Sequence, residues 1–570
     1  MTKILHGFHL HNLRGDIYGG LTAAVVALPL ALAFGVSSGA GPIAGIYGAI
    51  CVGFFAALFG GTPSQVSGPT GPMTVVMTAI FTQYTGLFPD DPGAGAAMAF
   101  TVVMMGGAFL ILFGFLRLGK YINLIPHPVV SGFMSGIGVI IILLQIGPLL
   151  GHVSAGGPLD AAQAIPNHLS ALIPHALILG MATLIIVYFL PQRINRLFPA
   201  PLFALIAGTL GAYFFFGGEI TQQTIGGNQV YTLGNASVLG NIPTGLPTIH
   251  LPTIELDLLA DMIKSALTLA TLGAIDSLLT SLVADNLTRS HHESNRELIG
   301  QGIGNTFAGF FGGLPGAGAT MRTVINVRAG GQTPVSGALH ALALLAIVLG
   351  AGSFARYIPH AVLAGILIKV GADIIDWDYL KRLGSAPKPG VIMMFTVLLI
   401  TVFVDLITAV AVGMIMASMV FMQRMVNLQL KSVTAITQPG EEAPLSNVEK
   451  ELLAEAKGRV LLFHLQGPMS FGAAKDICRR MAAFDQYDVL ILDLSDVPHI
   501  DFTSCRGVED MIHDATNQGR SALLVGMKKP VLDALTKQGA LRAVAGVNRH
   551  EAREQALRHA LELIANTRTA

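Results

Sequence analysis

The chain has 570 residues, 52% of them hydrophobic and only 12% charged, and its 34 Lys and Arg are balanced by 34 Asp and Glu. A soluble domain carries about 25% charged residues and a nucleic-acid binder shows a basic excess, so neither class describes the chain as a whole. More than half of the charges, 35 of them, fall in the last 140 residues, which predicts a membrane-embedded body followed by a soluble C-terminal domain.

Residues 1–16 form a short N-terminal segment with Lys3 and Arg14, read as cytoplasmic. Its His6, His9 and His11 are read as solvated, and no small-residue cleavage site precedes the first apolar run. Cys51, Cys478 and Cys505 are too few and too scattered for a disulfide framework or a thiolate metal site. Between Asp16 and Asp90 there is no Asp, Glu, Lys or Arg, and between Lys120 and Arg193 only Asp160. A bilayer-spanning helix needs about 20 apolar residues. Gly and Pro divide these stretches into segments near 17–37, 43–60, 70–84, 96–116, 126–150, 171–190 and 200–216. A second set falls near 258–284, 298–312, 319–328, 334–353, 359–375, 389–406 and 408–425. The pattern predicts fourteen spans over residues 17–430, as two repeats of seven at about 17–216 and 258–425.

Cationic residues alternate between connections. Arg117 with Lys120, Arg193 with Arg196, Arg289 with Arg296, and Lys381 and Arg382 with Lys388 fall on one side. The connections 85–95, 151–170 and 217–257 contain no Lys or Arg, and Arg356 is the lone exception. The positive-inside rule then places both termini in the cytoplasm of a multi-pass plasma (inner) membrane protein.

The third and tenth spans are too short to cross alone, and each follows a Gly/Pro-rich stretch, 60–72 and 312–318. Broken segments at matching places in two halves point to a transporter's binding site. Ile125-Pro126-His127-Pro128-Val129-Val130-Ser131-Gly132 recurs as Ile358-Pro359-His360-Ala361-Val362-Leu363-Ala364-Gly365, each copy opening a span. Seven spans per half is odd, so the halves insert with opposite orientation. Two helix N-termini meeting at the midplane attract an anion through unpaired N–H groups and dipole ends. Thr70 sits where it can cap a helix or donate to ligand, and Gly68, Gly71, Gly316 and Gly318 permit close approach of ligand or of neighbouring helices. Asp276 lies in mid-span with Thr280 one turn on, and Arg322 is its candidate partner. Lys369 and Asp373 are expected to pair or snorkel near a helix end, Asp405 to lie near an interface, and Asp261 and Lys264 to be solvated.

After a linker at 431–448, residues 449–565 read as a small α/β domain. Strands are expected at 459–466, 489–494 and 522–526, with helices near 473–484 and 505–518. Within it, Leu492-Asp493-Leu494-Ser495-Asp496-Val497-Pro498-His499-Ile500-Asp501 resembles the core of a STAS domain, the fold shared with anti-sigma-factor antagonists. Thr503 falls near the phosphorylated serine of those antagonists, but Phe502-Thr503-Ser504-Cys505 departs from their Ser-Ser-Gly pattern.

Fourteen spans with such a tail resemble the sulfate permease (SulP) family, and in particular its cyanobacterial sodium-dependent bicarbonate transporter subgroup. The matching stretches include Phe54-Phe-Ala-Ala-Leu-Phe-Gly-Gly-Thr-Pro63, Pro69-Thr-Gly-Pro-Met-Thr-Val-Val76, Ser131-Gly-Phe-Met-Ser-Gly-Ile-Gly138, Gly300-Gln-Gly-Ile-Gly-Asn305 and Gly316-Ala-Gly-Ala-Thr-Met321. The resemblance implies a core (spans 1–4 and 8–11) moving against a gate (5–7 and 12–14), and no enzymatic activity. It also implies a homodimer with STAS contacts and a cytoplasmic regulatory partner at the STAS domain. Carried over by position, it places the anion at Thr70, Gly71, Gly318, Ala319, Thr320 and Arg322, and a coupling sodium at Asp276, Thr280, Gly318, Ala319 and Thr320. The chain departs from the bicarbonate subgroup at Arg322, where that subgroup has glycine, and there it resembles sulfate and dicarboxylate carriers. Bicarbonate is therefore the first expectation, with a proton-coupled or exchanging sulfate or dicarboxylate carrier as the alternative. A passive anion channel and a membrane-tethered STAS regulatory module are the remaining readings.

Overall fold

A computed structural model of the chain describes residues 6–153, 157–195, 199–217, 219–225, 228–240, 249–440, 445–542 and 544–566. Lys3, Arg196, parts of the 217–257 connection and part of the 431–448 linker lie outside the described residues. The chain divides into two compact units, Met1–Met414 and Ile415–Ala570.

The first unit opens with α1 (Leu13–Ser37), α2 (Pro42–Phe59), β1 (Ser67–Gly68), α3 (Gly71–Leu87), α4 (Pro92–Phe115), α5 (His127–Leu149), α6 (Pro158–Ser170), α7 (Pro174–Phe189), α8 (Gln192–Asn195) and α9 (Ala200–Phe216). A hairpin, β2 (Ile220–Ile225), β3 (Asn228–Leu233) and β4 (Ala236–Ser237), precedes α10 (Leu259–Thr288), α11 (Ser294–Phe310), β5 (Ala317–Gly318) and α12 (Thr320–Arg328). Then follow α13 (Pro334–Ala351), α14 (His360–Ile374), α15 (Trp377–Lys381), α16 (Lys388–Phe403) and α17 (Leu406–Lys431), within which the boundary between the units falls. A helix occupies each expected apolar segment. Among the described residues six helices are long and apolar enough to cross a bilayer alone, and α6 with α7 forms a seventh candidate bent by 118°. Proline opens several helices, including α2, α4 and α7, where its missing N–H costs nothing.

Two packing groups emerge. In one, α4 packs on α11 and α10, α11 on α2, and α13 on α1 and α2; in the other, α5 packs on α14 and α16, and α14 on α7. Reciprocal glycines set the closest approaches, as small residues do between membrane helices. A Cβ on Gly107 would sit 2.6 Å from Gly302 O, and one on Gly302 2.6 Å from Gly107 O. Gly138 and Gly371 repeat that relation between α5 and α14. Helix α6 and the strands β2–β4 lie in connections for which no element was expected. Asp16 is fully buried and accepts bonds from Asn12 Nδ2, Gln332 N, Thr333 N and Thr333 Oγ1, just ahead of α13.

The second unit carries β6 (Thr434–Ile436), α18 (Asn447–Glu455), β7 (Val460–Gln466), α19 (Phe471–Ala482), β8 (Val489–Asp496), α20 (Phe502–Asn517), β9 (Ser521–Val525), α21 (Lys529–Gln538), β10 (Arg549–His550) and α22 (Arg553–Asn566). The sheet runs β10-β9-β8-β7-β6, parallel except for β6. Helices cover both faces, so the strands are continuously apolar. Leu461, Phe463 and Leu492 face α19 and α20, whereas Leu462, Ile491 and Leu523 pack with Leu453 and Leu557 of α18 and α22. Asp501 caps α20 at Ser504 N, which buries Ser504 and leaves Thr503 exposed.

One buried carboxylate ties this sheet to α22. Asp493 Oδ2 lies 2.8 Å from His464 Nδ1 and accepts from Arg553 Nε, while Oδ1 accepts from Ser495 N and Oγ. Burial alone would raise this carboxyl, but the His464, Ser495 and Arg553 contacts outweigh it and bring it from 3.8 to about 2. A depressed carboxylate stabilises the fold fully above its unfolded pKa, and that contribution is lost as pH falls through about 2. Arg553→Ala leaves the buried carboxylate without its cation and should cost about 3 kcal/mol, read by calorimetry of the full chain as a lower C-terminal unfolding transition. An unchanged transition would show that the contact is not stabilising.

Candidate functional site

The 60–72 and 312–319 stretches cannot stay helical, because Gly and Pro crowd them, yet their freed backbone groups lie inside the membrane part. Irregular backbone survives there only if protein partners satisfy it. Glu297 does so for the first stretch. Its Oε2 accepts from Gly61 N and Thr62 N at 2.9 Å each, and its Oε1 from Gln65 Nε2 at 2.7 Å and Gln301 Nε2 at 2.8 Å. Asn305 does so for the second, accepting from Gly316 N at 2.8 Å and donating to Gly316 O at 2.9 Å. The stretches then meet as the antiparallel pair β1 and β5, Ser67 opposite Gly318 and Gly68 opposite Ala317.

The pairing aims two helix N-termini at one cavity of about 450 Å³. No side chain caps α3 or α12. The Thr70 hydroxyl, expected as a cap or ligand donor, instead donates to Asp276 Oδ2 at 2.7 Å. Thr280 Oγ1 donates to Gly318 O at 2.9 Å and lies 2.7 Å from Thr320 Oγ1, and Gly318 N donates to Ser277 Oγ at 3.1 Å. Arg322, 2% exposed, donates through Nη2 to Pro69 O. Among the described contacts no salt bridge within 4.0 Å joins Asp276 to Arg322, its candidate partner: the carboxylate accepts from Thr70 and the guanidinium donates to Pro69 O.

The structure brings Thr70, Gly71, Asp276, Gly318, Ala319, Thr320 and Arg322 to the cavity wall, while Thr280 stands behind, fixing β5 to α12. The oxygens of Thr280, Thr320 and Gly318 lie within hydrogen-bond distance of one another, and Thr280 stands one helical turn from Asp276; oxygen donors of this kind suit a hard cation. Lys369 and Asp373 pair on α14 as expected, but they also line this cavity from the opposite wall. Sequence reading missed Glu297, Gln301 and Asn305 as organisers of the site. Their spacing of four puts a polar stripe on an otherwise glycine-rich apolar helix, and that was the available signal.

Residues 13–397 match the Sulfate permease family and residues 451–554 the STAS domain. The chain is 46% identical over 560 residues to "Bicarbonate transporter BicA" of Picosynechococcus, covering 98% of this chain and 96% of that protein. Among solved structures it is similar to the transmembrane domain of a cyanobacterium bicarbonate transporter BicA, with 48% identity and a TM-score of 0.64 over 73% of this chain and 100% of the other. It shares its fold with SLC26A9, at 17% identity and a TM-score of 0.80 over 99% of this chain and 92% of that one.

A Cβ at position 318 would sit 2.3 Å from Gln65 Nε2, a side chain already committed to Glu297. Gly318→Ala should therefore part β1 from β5, lower the Tm, and reduce anion flux at least about tenfold, the scale of a lost buried hydrogen-bond network. Gly86→Ala, where nothing lies within 4 Å of the added carbon, is the matched control and should leave both unchanged.

Proposed function

The chain belongs to the sulfate permease family, and on that premise we propose that it is a secondary active transporter of small inorganic anions, bicarbonate first, across the plasma membrane. The observation that carries this reading is the convergence of two uncapped helix N-termini and the Arg322 guanidinium on one cavity beside the Asp276 carboxylate. The choice of bicarbonate rests on the similarity to the bicarbonate transporter over nearly the whole chain.

Charge counting supports a small monovalent anion. Arg322 and Asp276 cancel formally, and two helix ends contribute roughly +0.5 each, which leaves about one positive charge for the anion to neutralise. A cation on Asp276 raises that surplus and permits co-transport; sodium would be held as cargo by Asp276, Thr280, Gly318, Ala319 and Thr320. The permanent charge of Arg322 favours the second reading, sulfate or a dicarboxylate carried with a proton or by exchange.

In this reading fourteen spans form a 7+7 inverted repeat over residues 17–430, with STAS at 449–565. The two packing groups are core and gate, and transport is an elevator-like displacement of one against the other. Both termini are cytoplasmic, and the transporter acts as a homodimer with a cytoplasmic partner at STAS.

Uptake of radiolabelled bicarbonate, sulfate and a dicarboxylate into proteoliposomes, with and without a Na⁺ gradient, tests it. Concentrative bicarbonate uptake is expected; uptake that only equilibrates would overturn the secondary active reading. Arg322→Gly removes a charge-assisted contact to the anion and should lower uptake about 10- to 100-fold. Unchanged uptake and Na⁺ dependence in that variant would remove Arg322 from the site.

A further inference from the structure

Four charged residues line the cavity among those described, and they fall on opposite walls. Asp276 and Arg322 belong to α10 and α12, beside the crossing, and are 8% and 2% exposed. Lys369 and Asp373 belong to α14, and their side chains are 25% and 40% exposed. Lys369 lies over the Tyr188 ring near the end of α7, and Asn195 and Pro199 of the connection between α7 and α9 also line the cavity. Exposure therefore rises from the Asp276–Arg322 pair to the Lys369–Asp373 pair, with one cation in each.

The environment of Lys369 holds it in place without consuming it. Asp373 one turn on pairs with it, and the Tyr188 ring of α7 lies 5.1 Å from its ammonium. An ammonium has three donors, and half-exposed contacts such as these are weak enough to exchange. Ile366, Val370 and Met134 are apolar lining residues of the same cavity, and among the described lining residues Lys369 and Arg322 are the cations.

Resting on the transporter reading above, we infer that Lys369 is a mouth-side anion contact on the wall opposite Arg322, and that Asp373 tunes it by competing with the anion for its ammonium. The pair sets how tightly the anion is held from one face of the membrane only. Two other cavities of the first unit, one of about 410 Å³ lined by Val75, Gln83 and Lys264 and one of about 600 Å³ lined by Leu32, Leu205 and Tyr213, contain neither residue.

The test is bicarbonate flux measured separately from each face, in right-side-out and inverted vesicles. In Lys369→Gln the half-saturating concentration from the α14-mouth face should rise about three- to fivefold relative to that from the other face, the size of a partly exposed ion contact. Asp373→Asn should shift the ratio the opposite way, and Lys369→Arg should restore it. The double variant should behave as Lys369→Gln alone, because Asp373 acts only through the lysine. A ratio that stays at the wild-type value in Lys369→Gln overturns the inference, as does a double variant that differs from Lys369→Gln. Flux from the opposite face reports whether each variant is folded. Absence of bicarbonate flux in the wild-type protein overturns the transporter reading instead, so the two failures are distinguishable.

Discussion

Where a helix stops inside a bilayer, each freed N–H and C=O costs several kcal/mol unless protein supplies a partner, and the crossing of β1 and β5 is built around that cost. Backbone contacts at the crossing include Ala319 N to Val66 O at 2.9 Å. Buried side chains supply the rest. Asn326 donates to Ser64 O, Thr323 Oγ1 accepts from Val66 N, and Glu297 gathers the backbone at 61–62 together with Gln65 and Gln301. Glu297 comes from α11, and Asn326 and Thr323 from α12, which packs on α1 and α10 of the same group.

This accounting separates the buried carboxylates by role. Glu297 and Asp16 each accept four bonds, so the lone pairs of both are committed to structure. Asp276 accepts one, from Thr70, and faces the cavity. It alone of the three retains acceptor capacity for a cargo ion. The same bond explains why α3 has no side-chain cap: the hydroxyl that would close the helix end is turned toward Asp276, which leaves the positive end of the helix open to an anion. Arg322 is held away from Asp276 by Pro69 O, so its charge is not cancelled at contact distance.

The sequence made the apolar helices legible because charge is nearly absent between them and Gly and Pro punctuate them. The short third and tenth spans stood out by the same reasoning, and Thr70, Asp276 and Arg322 by their rarity in such surroundings. What composition cannot give is direction. A hydroxyl and a guanidinium near one carboxylate predict a close ion pair, and the outcome turned on a carbonyl, Pro69 O, that no pattern reveals. Glu297 was missed because it sits near a helix start, where a charge reads as solvated. Helix α6 was missed because its connection is polar enough to pass for a loop, although its bend onto α7 makes it part of the packed body.

The two walls of the cavity differ in what fixes them, and that difference is what a moving-site transporter needs. On the crossing side, charge is dry and immobilised by backbone and hydroxyl contacts, so it presents the same geometry wherever the group travels. On the α14 side, charge is wet and paired one helical turn apart, so it responds to whatever anion arrives. Glycine contacts such as Gly138 with Gly371 bring α5 and α14 as close at that point as Gly107 and Gly302 bring α4 and α11. In the elevator reading proposed above, displacement falls between the two groups. An anion bound only to the first wall would be carried but not readily released into water; a weaker, exposed cation on the second wall lowers the step between the dry site and bulk solvent.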